Sequence, residues 1–161
     1  MESAFVSAKA LVEKVVEGLG VDPAAVRVEK ASGQASQANA PEEQANWTLQ
    51  RGSAQILVTV VRRKEDGGGV HLRVIAPVMT LPEASKREAL YQRVLELNAA
   101  GLGNAAFGLI SERVVVVSER PAVGMDAGEL NQIIRHLAAV ADTYDNRLVK
   151  DFGGKLASEK G

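Results

Sequence analysis

The sequence of 161 residues contains no cysteine, few aromatic residues and no long apolar run. Without cysteine, the chain has no disulfide, no thiolate metal ligand and no cysteine nucleophile. This composition suits a reducing compartment, and we expect a cytoplasmic protein. The 19 Lys and Arg residues balance 20 Asp and Glu residues. This balance argues against a nucleic-acid-binding protein, which needs a clustered basic face.

The amino terminus also lacks the features of a targeting segment. Residues 1–20 have neither a basic leading stretch nor a continuous apolar run, so we expect no signal peptide and no membrane association. Their apolar residues recur at helical spacing and predict an amphipathic helix. The length of the chain predicts one domain, which we place at residues 1–154, followed by a polar tail at 155–161.

The middle of the chain predicts an α+β fold, with the order helix, antiparallel strands, helix, β-hairpin, helix. Alternating residues predict strands over 46–52, 53–64 and 69–80, and a short strand at 26–30 precedes them. Val58 and Val60 are expected to share a face with Val74 and Leu72. The segment from Ala31 to Gln44 has almost no large apolar residue, and we expect a poorly ordered loop there.

Four consecutive valines, Val114 to Val117, form the second strand of the predicted hairpin. A strand with one solvent-exposed face alternates, so this run implies that both faces are covered. The preceding helix, 81–100, carries a wider apolar arc than one sheet contact requires. A homodimer would explain both features, and the predicted interface residues are Leu90, Val94, Leu97, Val115 and Val117. Alternatively, another helix of the same chain, such as the first, covers this face.

Several residue patterns resemble catalytic or ligand sites, but each has a simpler structural explanation. The stretch GLGNAA at 101–106 matches a relaxed dinucleotide fingerprint, yet it follows a helix and precedes a strand, the reverse of the required order. His71 and His136 have no accompanying cluster of metal ligands. Asp142 and Asp145, one helical turn apart, read as surface charges. We therefore expect no enzyme, no metal and no cofactor.

Four segments of the sequence resemble the YbjN family of bacterial proteins, whose members share the fold of type III secretion chaperones. The segments are LELNA at 95–99, AFGL at 106–109, the valine strand behind it and ADTYD at 141–145. The resemblance implies a commonly dimeric, chaperone-like protein or sensory-transduction regulator with no enzymatic residues.

Two binding functions follow from these expectations. The first is a dimeric, non-enzymatic protein that binds an extended segment of an unknown protein or peptide partner on strands 46–63. The residues predicted for that surface are Trp47, Leu49, Leu57 and Val61, and we expect Trp47 to be partly exposed because it begins a strand after the predicted loop. The alternative is a small-ligand module with a pocket between the sheet and the last helix.

Overall fold

The computed structural model describes residues 3–29, 43–64 and 67–159. These residues form three helices and six strands. The elements, in chain order, are α1 (Ala4–Gly18), β1 (Arg27–Val28), β2 (Glu43–Arg51), β3 (Ala54–Arg62), β4 (Val70–Thr80), α2 (Ala84–Ala100), β5 (Ala106–Ile110), β6 (Arg113–Pro121) and α3 (Ala127–Phe152). The predicted α+β class and element order are confirmed. None of the described helices is long and apolar enough to cross a membrane.

The strands form one antiparallel sheet in the order β1-β2-β3-β4-β6-β5. The meander β2-β3-β4 and the hairpin β5-β6 each pair locally, and β4 joins them by pairing with β6. The predicted shared face is confirmed, and the pairing places Val58 opposite Val74 and Val60 opposite Leu72. The β5-β6 turn contains no glycine, and Ser111 takes the positive φ of 55° that this tight turn requires.

One face of the sheet carries the hydrophobic core, and we call it the helix-covered face. α1 and α3 lie against its central strands, while α2 packs beside β5 and against α3. α3 is amphipathic along its length, and its buried stripe includes Leu130, Ile134 and Leu137. The Asp126 carboxylate caps this helix by accepting from the Glu129 N–H at 2.8 Å.

The opposite face of the sheet is the helix-free face. Val61, Ile75 and Val115 are buried there, but they do not belong to the core cluster formed with the helices. Alternation along β6 therefore divides the four valines, with Val114 and Val116 on the helix-covered face and Val115 and Val117 on the helix-free face.

The start of β2 differs from the sequence-based expectation. The strand begins at Glu43, three residues before the predicted start, and the Glu43 carboxylate pairs with Arg62 on β3 at 3.0 Å. Glu43 and Gln44 thus belong to the sheet and not to the predicted loop. Residues 31–42 of that loop lie outside the described residues.

Candidate partner-binding surface

The four residues predicted to bind a partner lie on two different faces of the sheet. Trp47 and Leu49 point into the core between the sheet and the helices, where they are 0% and 3% exposed. The expectation that Trp47 is partly exposed was wrong, because the core encloses its ring and the Arg27 guanidinium lies 4.7 Å from the ring centroid. Leu57 and Val61 lie on the helix-free face, where Leu57 is partly exposed and Val61 is buried.

Three of the residues predicted for a dimer interface are buried within their own chain. Leu90, Val94 and Leu97 form the buried stripe of α2 and belong to the common core. They therefore have little surface left to give to a second subunit. Leu95 on the same helix is 65% exposed, and Leu109 on β5 is 48% exposed.

The helix-free face presents two parallel rows of side chains that run across the strands. We call Leu57, Ile75 and Val117 the apolar row; they are paired neighbours on β3, β4 and β6. Leu57 and Val117 are partly exposed, while Ile75 is 7% exposed. Thr48 and Ala106 continue this row at its two ends. An extended chain that crosses these strands would meet the partly exposed side chains of Leu57 and Val117 on either side of Ile75.

The neighbouring polar row consists of Asn46, Thr59, Arg73 and Glu119, again on successive strands. The Thr59 hydroxyl donates to the Asn46 side-chain oxygen at 3.0 Å, and the Arg73 guanidinium lies 3.5 Å from the Glu119 carboxylate. Burial lowers the pKa of Arg73, while Glu119 acts in the opposite direction. The Asn46 amide nitrogen is buried without a hydrogen-bond acceptor. The polar row thus consists of one hydrogen-bonded pair, Asn46 with Thr59, and one ion pair, Arg73 with Glu119.

A separate cavity lies where β3 and β4 diverge. It has a volume of about 140 Å³ and is bounded by the ends of β2 and β3, by β4, by α3 and by the chain after α3. Asp142 and Asp145 line it, and the Ser53 hydroxyl donates to Asp142 at 2.9 Å. Burial raises the pKa of the Asp145 carboxyl, the Asn146 backbone N–H opposes this, and the neighbouring Asp142 reinforces it. The cavity lies between the sheet and the last helix, but it is smaller than typical ligand pockets of about 300–1,000 Å³.

The GLGNAA stretch forms the connection between α2 and β5. His136 on α3 lies beneath it, and its Nε2 atom is 2.5 Å from the Leu102 carbonyl oxygen. A side chain at Gly103 would begin 3.0 Å from that imidazole, and Gly103 has a φ of 68°, so both space and conformation favour glycine there. An open cleft of about 450 Å³ adjoins this contact beside Arg120 and Glu129. The glycines thus have a packing role, as their position after a helix indicated.

The two histidines lie on opposite sides of the sheet. His71 is on the helix-free face of β4, whereas His136 is on the helix that covers the other face. Within residues 3–29, 43–64 and 67–159, no group of three or more His, Asp or Glu side chains is arranged to hold a metal ion.

A family model matches residues 22–160 of the chain. It is the TY-Chap1 model, described as T3SS (YopN, CesT) and YbjN peptide-binding chaperone 1. The chain belongs to the TY-Chap1 family. The resemblance to YbjN proteins is therefore confirmed.

Several solved structures also have a similar fold, at low sequence identity. A chain of the ExsC–ExsE complex has a TM-score of 0.58 and 15% identity, with 92% of this chain and 97% of that chain covered. A chain of the heterodimeric ExoU–SpcU complex from the type III secretion system of Pseudomonas aeruginosa has a TM-score of 0.52 and 14% identity, covering 86% and 95%. A chain of the HopA1–SchA chaperone–effector complex has a TM-score of 0.53 and 15% identity, covering 91% and 98%. No curated protein matches the sequence significantly.

The segments that carry the resemblance to this family meet at one residue, Phe107. Asn98 of LELNA accepts from the Phe107 N–H at 2.7 Å and donates to the Phe107 carbonyl at 3.2 Å. Tyr144 of ADTYD packs edge-on against the Phe107 ring, with the centroids 5.6 Å apart. Val116 is the β6 partner of Phe107. These motif residues therefore join α2, α3 and β6 to one edge strand, which is a structural role.

Proposed function

We propose that this protein is a non-enzymatic binding protein that holds an extended segment of a protein partner on the helix-free face. The observation that carries the proposal is the apolar row, in which Leu57 and Val117 remain partly exposed on a sheet face opposite the helices. The family description as peptide-binding chaperones supports a polypeptide ligand. One structural neighbour belongs to a chaperone–effector complex, which agrees with this proposal.

The two rows specify what kind of segment the face would accept. An extended chain points alternate side chains to opposite sides, so one set can lie on the apolar row while the backbone crosses the strands. The adjacent polar row supplies the partly exposed Arg73–Glu119 pair, whose guanidinium can donate to an acceptor of the segment, whereas the Asn46 amide is buried within the protein. The ligand class is therefore a segment with apolar side chains at alternate positions and a carbonyl or other acceptor beside them.

The test uses peptides selected on the folded protein. A displayed library of random 16-residue peptides is panned on the wild type, and the selected peptides are measured by fluorescence anisotropy against two variants. Leu57→Glu places a carboxylate in the apolar row, and we expect roughly tenfold or greater loss of affinity, because contact with the peptide would desolvate that charge. Ser7→Glu adds the same charge to an exposed position of α1 and serves as the matched control.

The proposal is wrong if the selected peptides bind Leu57→Glu as tightly as the wild type. It is equally wrong if panning enriches no peptide that binds the folded protein. Circular dichroism of both variants excludes unfolding as the cause of lost binding, and Leu57 is partly exposed, so the fold should tolerate the substitution.

The proposal also includes a homodimer in a cytoplasmic protein. The free apolar residues near the carboxyl half of α2 are Leu95 on the helix and Leu109 on the adjoining edge strand β5. β5 is the last strand of the sheet, so a second copy that covers this edge would bury both residues. The interface proposed from the structure thus lies beside the predicted one, on the exposed side of the same helix.

A further inference from the structure

One edge of β4 is left open where β3 turns away from it. Pairing of β3 with β4 ends at Leu57 and Ile75, whereas β4 continues to Thr80 with β6 on its other side. The last part of β4 therefore presents backbone groups on the side that β3 has vacated. We call this edge, from Val78 to Thr80, the β4 slot.

The chain after α3 occupies the β4 slot through its backbone. The Thr80 N–H donates to the Lys155 carbonyl at 2.9 Å, the Ala157 N–H donates to the Val78 carbonyl at 3.2 Å, and Met79 and Leu156 form an antiparallel bridge. Main-chain bonds of this kind can be made by any extended segment with a free N–H at the right position. The side chain of Lys155 is exposed and that of Leu156 is only partly buried, so the tail is held with little apolar burial.

The approach of the tail depends on one glycine. Gly154 has a φ of 85°, and a Cβ atom at this position would lie 2.5 Å from the Thr80 carbonyl oxygen, closer than real Cβ atoms come. Gly153 has a similar φ of 89°, but a Cβ atom there would meet only the Pro82 side chain at an ordinary 3.7 Å. An alanine at either glycine would strain the backbone, but only an alanine at Gly154 would also collide with Thr80. Comparing the two substitutions therefore distinguishes the effect of the collision from the effect of the strained backbone.

The docked tail lies beside an acidic cavity. Ala157 and Ser158 line the 140 Å³ space together with Asp142 and Asp145. A strand in the slot that carried lysine or arginine near the position of Ser158 could extend that side chain toward both carboxylates. Because the cavity is acidic, a basic segment would fit the β4 slot better than the tail does.

We infer that the β4 slot is a strand-addition site for an extended, basic segment of a partner protein, and that residues 155–157 occupy it until that segment displaces them. This inference rests on the proposed function, because it requires that the protein binds extended polypeptide. It adds a second contact site at the β4 edge and gives the carboxyl-terminal tail a regulatory role.

The experiment compares the full-length Gly154→Ala and Gly153→Ala variants by NMR. We expect exchange of the Thr80 amide hydrogen to accelerate at least about tenfold in Gly154→Ala and to stay near wild type in Gly153→Ala, because both alanines strain the backbone but only one blocks the approach. The probe is the synthetic peptide GGKLASEKG, which copies residues 153–161. It should shift the Thr80 resonance of Gly154→Ala and slow its exchange again, without doing so in the wild type.

Two altered probes test the mode of binding. A peptide with proline at the place of Ala157 lacks the N–H that bonds to Val78, and we expect it not to bind. A peptide with arginine at the place of Ser158 should bind roughly tenfold more tightly, through a charge-assisted contact in the cavity. If Gly154→Ala does not fold, the variant Ala157→Pro is used in its place, because it removes the Ala157 N–H that bonds to Val78.

An unchanged Thr80 exchange rate in the released variants would overturn the inference, as would equal binding of the proline peptide or no binding of any probe. These readouts are independent of the library peptides measured on Leu57→Glu. Failure of the slot probes, together with library peptides that lose affinity for Leu57→Glu, rejects only this inference. Binding of the slot probes, together with library peptides that bind Leu57→Glu as tightly as the wild type, rejects only the helix-free face.

Discussion

Replacing Asn98 by alanine should loosen the edge strand β5 and destabilise the whole domain. The Asn98 side chain makes both a donor and an acceptor contact with the backbone of Phe107, at 3.2 Å and 2.7 Å. Phe107 is 7% exposed, and its ring packs on Tyr144. Alanine therefore leaves an N–H and a C=O group of a nearly buried residue without their partner.

The expected loss follows from these two contacts. An unsatisfied buried polar group costs about 1–3 kcal/mol, and the edge position lets water replace part of each bond. We expect a decrease of about 2–3 kcal/mol in the free energy of unfolding. For a domain of this size this corresponds to a decrease of roughly 5–10 °C in the melting temperature.

Urea denaturation measures this loss as a lower midpoint with an unchanged slope. Hydrogen exchange of the Phe107 amide should accelerate more than that of residues on β3, because the lost bond is local. Asn104→Ala, at an exposed position in the connection between α2 and β5, is the control and should stay within about 0.5 kcal/mol of wild type. A similarly small effect of Asn98→Ala would refute the argument that this residue holds the edge strand.

Two further predictions concern association and pH. Val94→Glu should abolish the helical circular dichroism signal because Val94 is 8% exposed in the core, whereas Leu95→Glu should keep the fold and weaken a dimer in sedimentation. Ala89→Glu, at an exposed position on another side of α2, controls for the added charge, and a folded Val94→Glu or a dimer unaffected by Leu95→Glu would contradict these expectations. Burial raises the pKa of Asp145 in the folded state, so the folded protein binds this proton more tightly than the unfolded chain does. The contribution of Asp145 to stability should therefore rise as the pH falls through its folded-state pKa. Asp145→Asn should therefore be more stable than wild type at about pH 7 and lose that advantage near about pH 4, and urea titrations showing the opposite trend would contradict it.

The fold could be predicted from the sequence because its local signals agree with its tertiary contacts. The shared face of Val58 and Val74 follows from alternation on either side of a glycine-containing turn, and Asp126 and Gly153 mark the two ends of α3. Alternation, however, states which residues share a face and not which face the helices cover. Trp47 and Leu57 are both apolar residues on paired strands, but the register pairs Trp47 with Val58, so the two point to opposite faces, and the helices cover the face of Trp47.

The site was harder to predict because its contacts involve backbone groups and neighbours distant in sequence. The apolar stripe of α2 led to the prediction of a second subunit because the sequence of the helix does not show that α3 and β5 of the same chain cover it. The sequence of the tail gives no sign that it docks, because it docks through backbone hydrogen bonds, which depend little on side-chain type. Its one signal is the Gly153–Gly154 pair, which in the sequence alone is typical of a helix end, whereas in the structure Gly154 also permits the approach to Thr80.

The strand order also has a consequence for how the domain forms. β2, β3 and β4 can pair as soon as their short turns close, and the β5-β6 hairpin can do the same on its own. The contact between β4 and β6 joins segments separated by the whole of α2 and β5, so it closes a much longer loop. We expect folding to begin in two local units and to be limited in rate by their joining along β4 and β6, which aligns Ile75 with Val117 and so completes the apolar row.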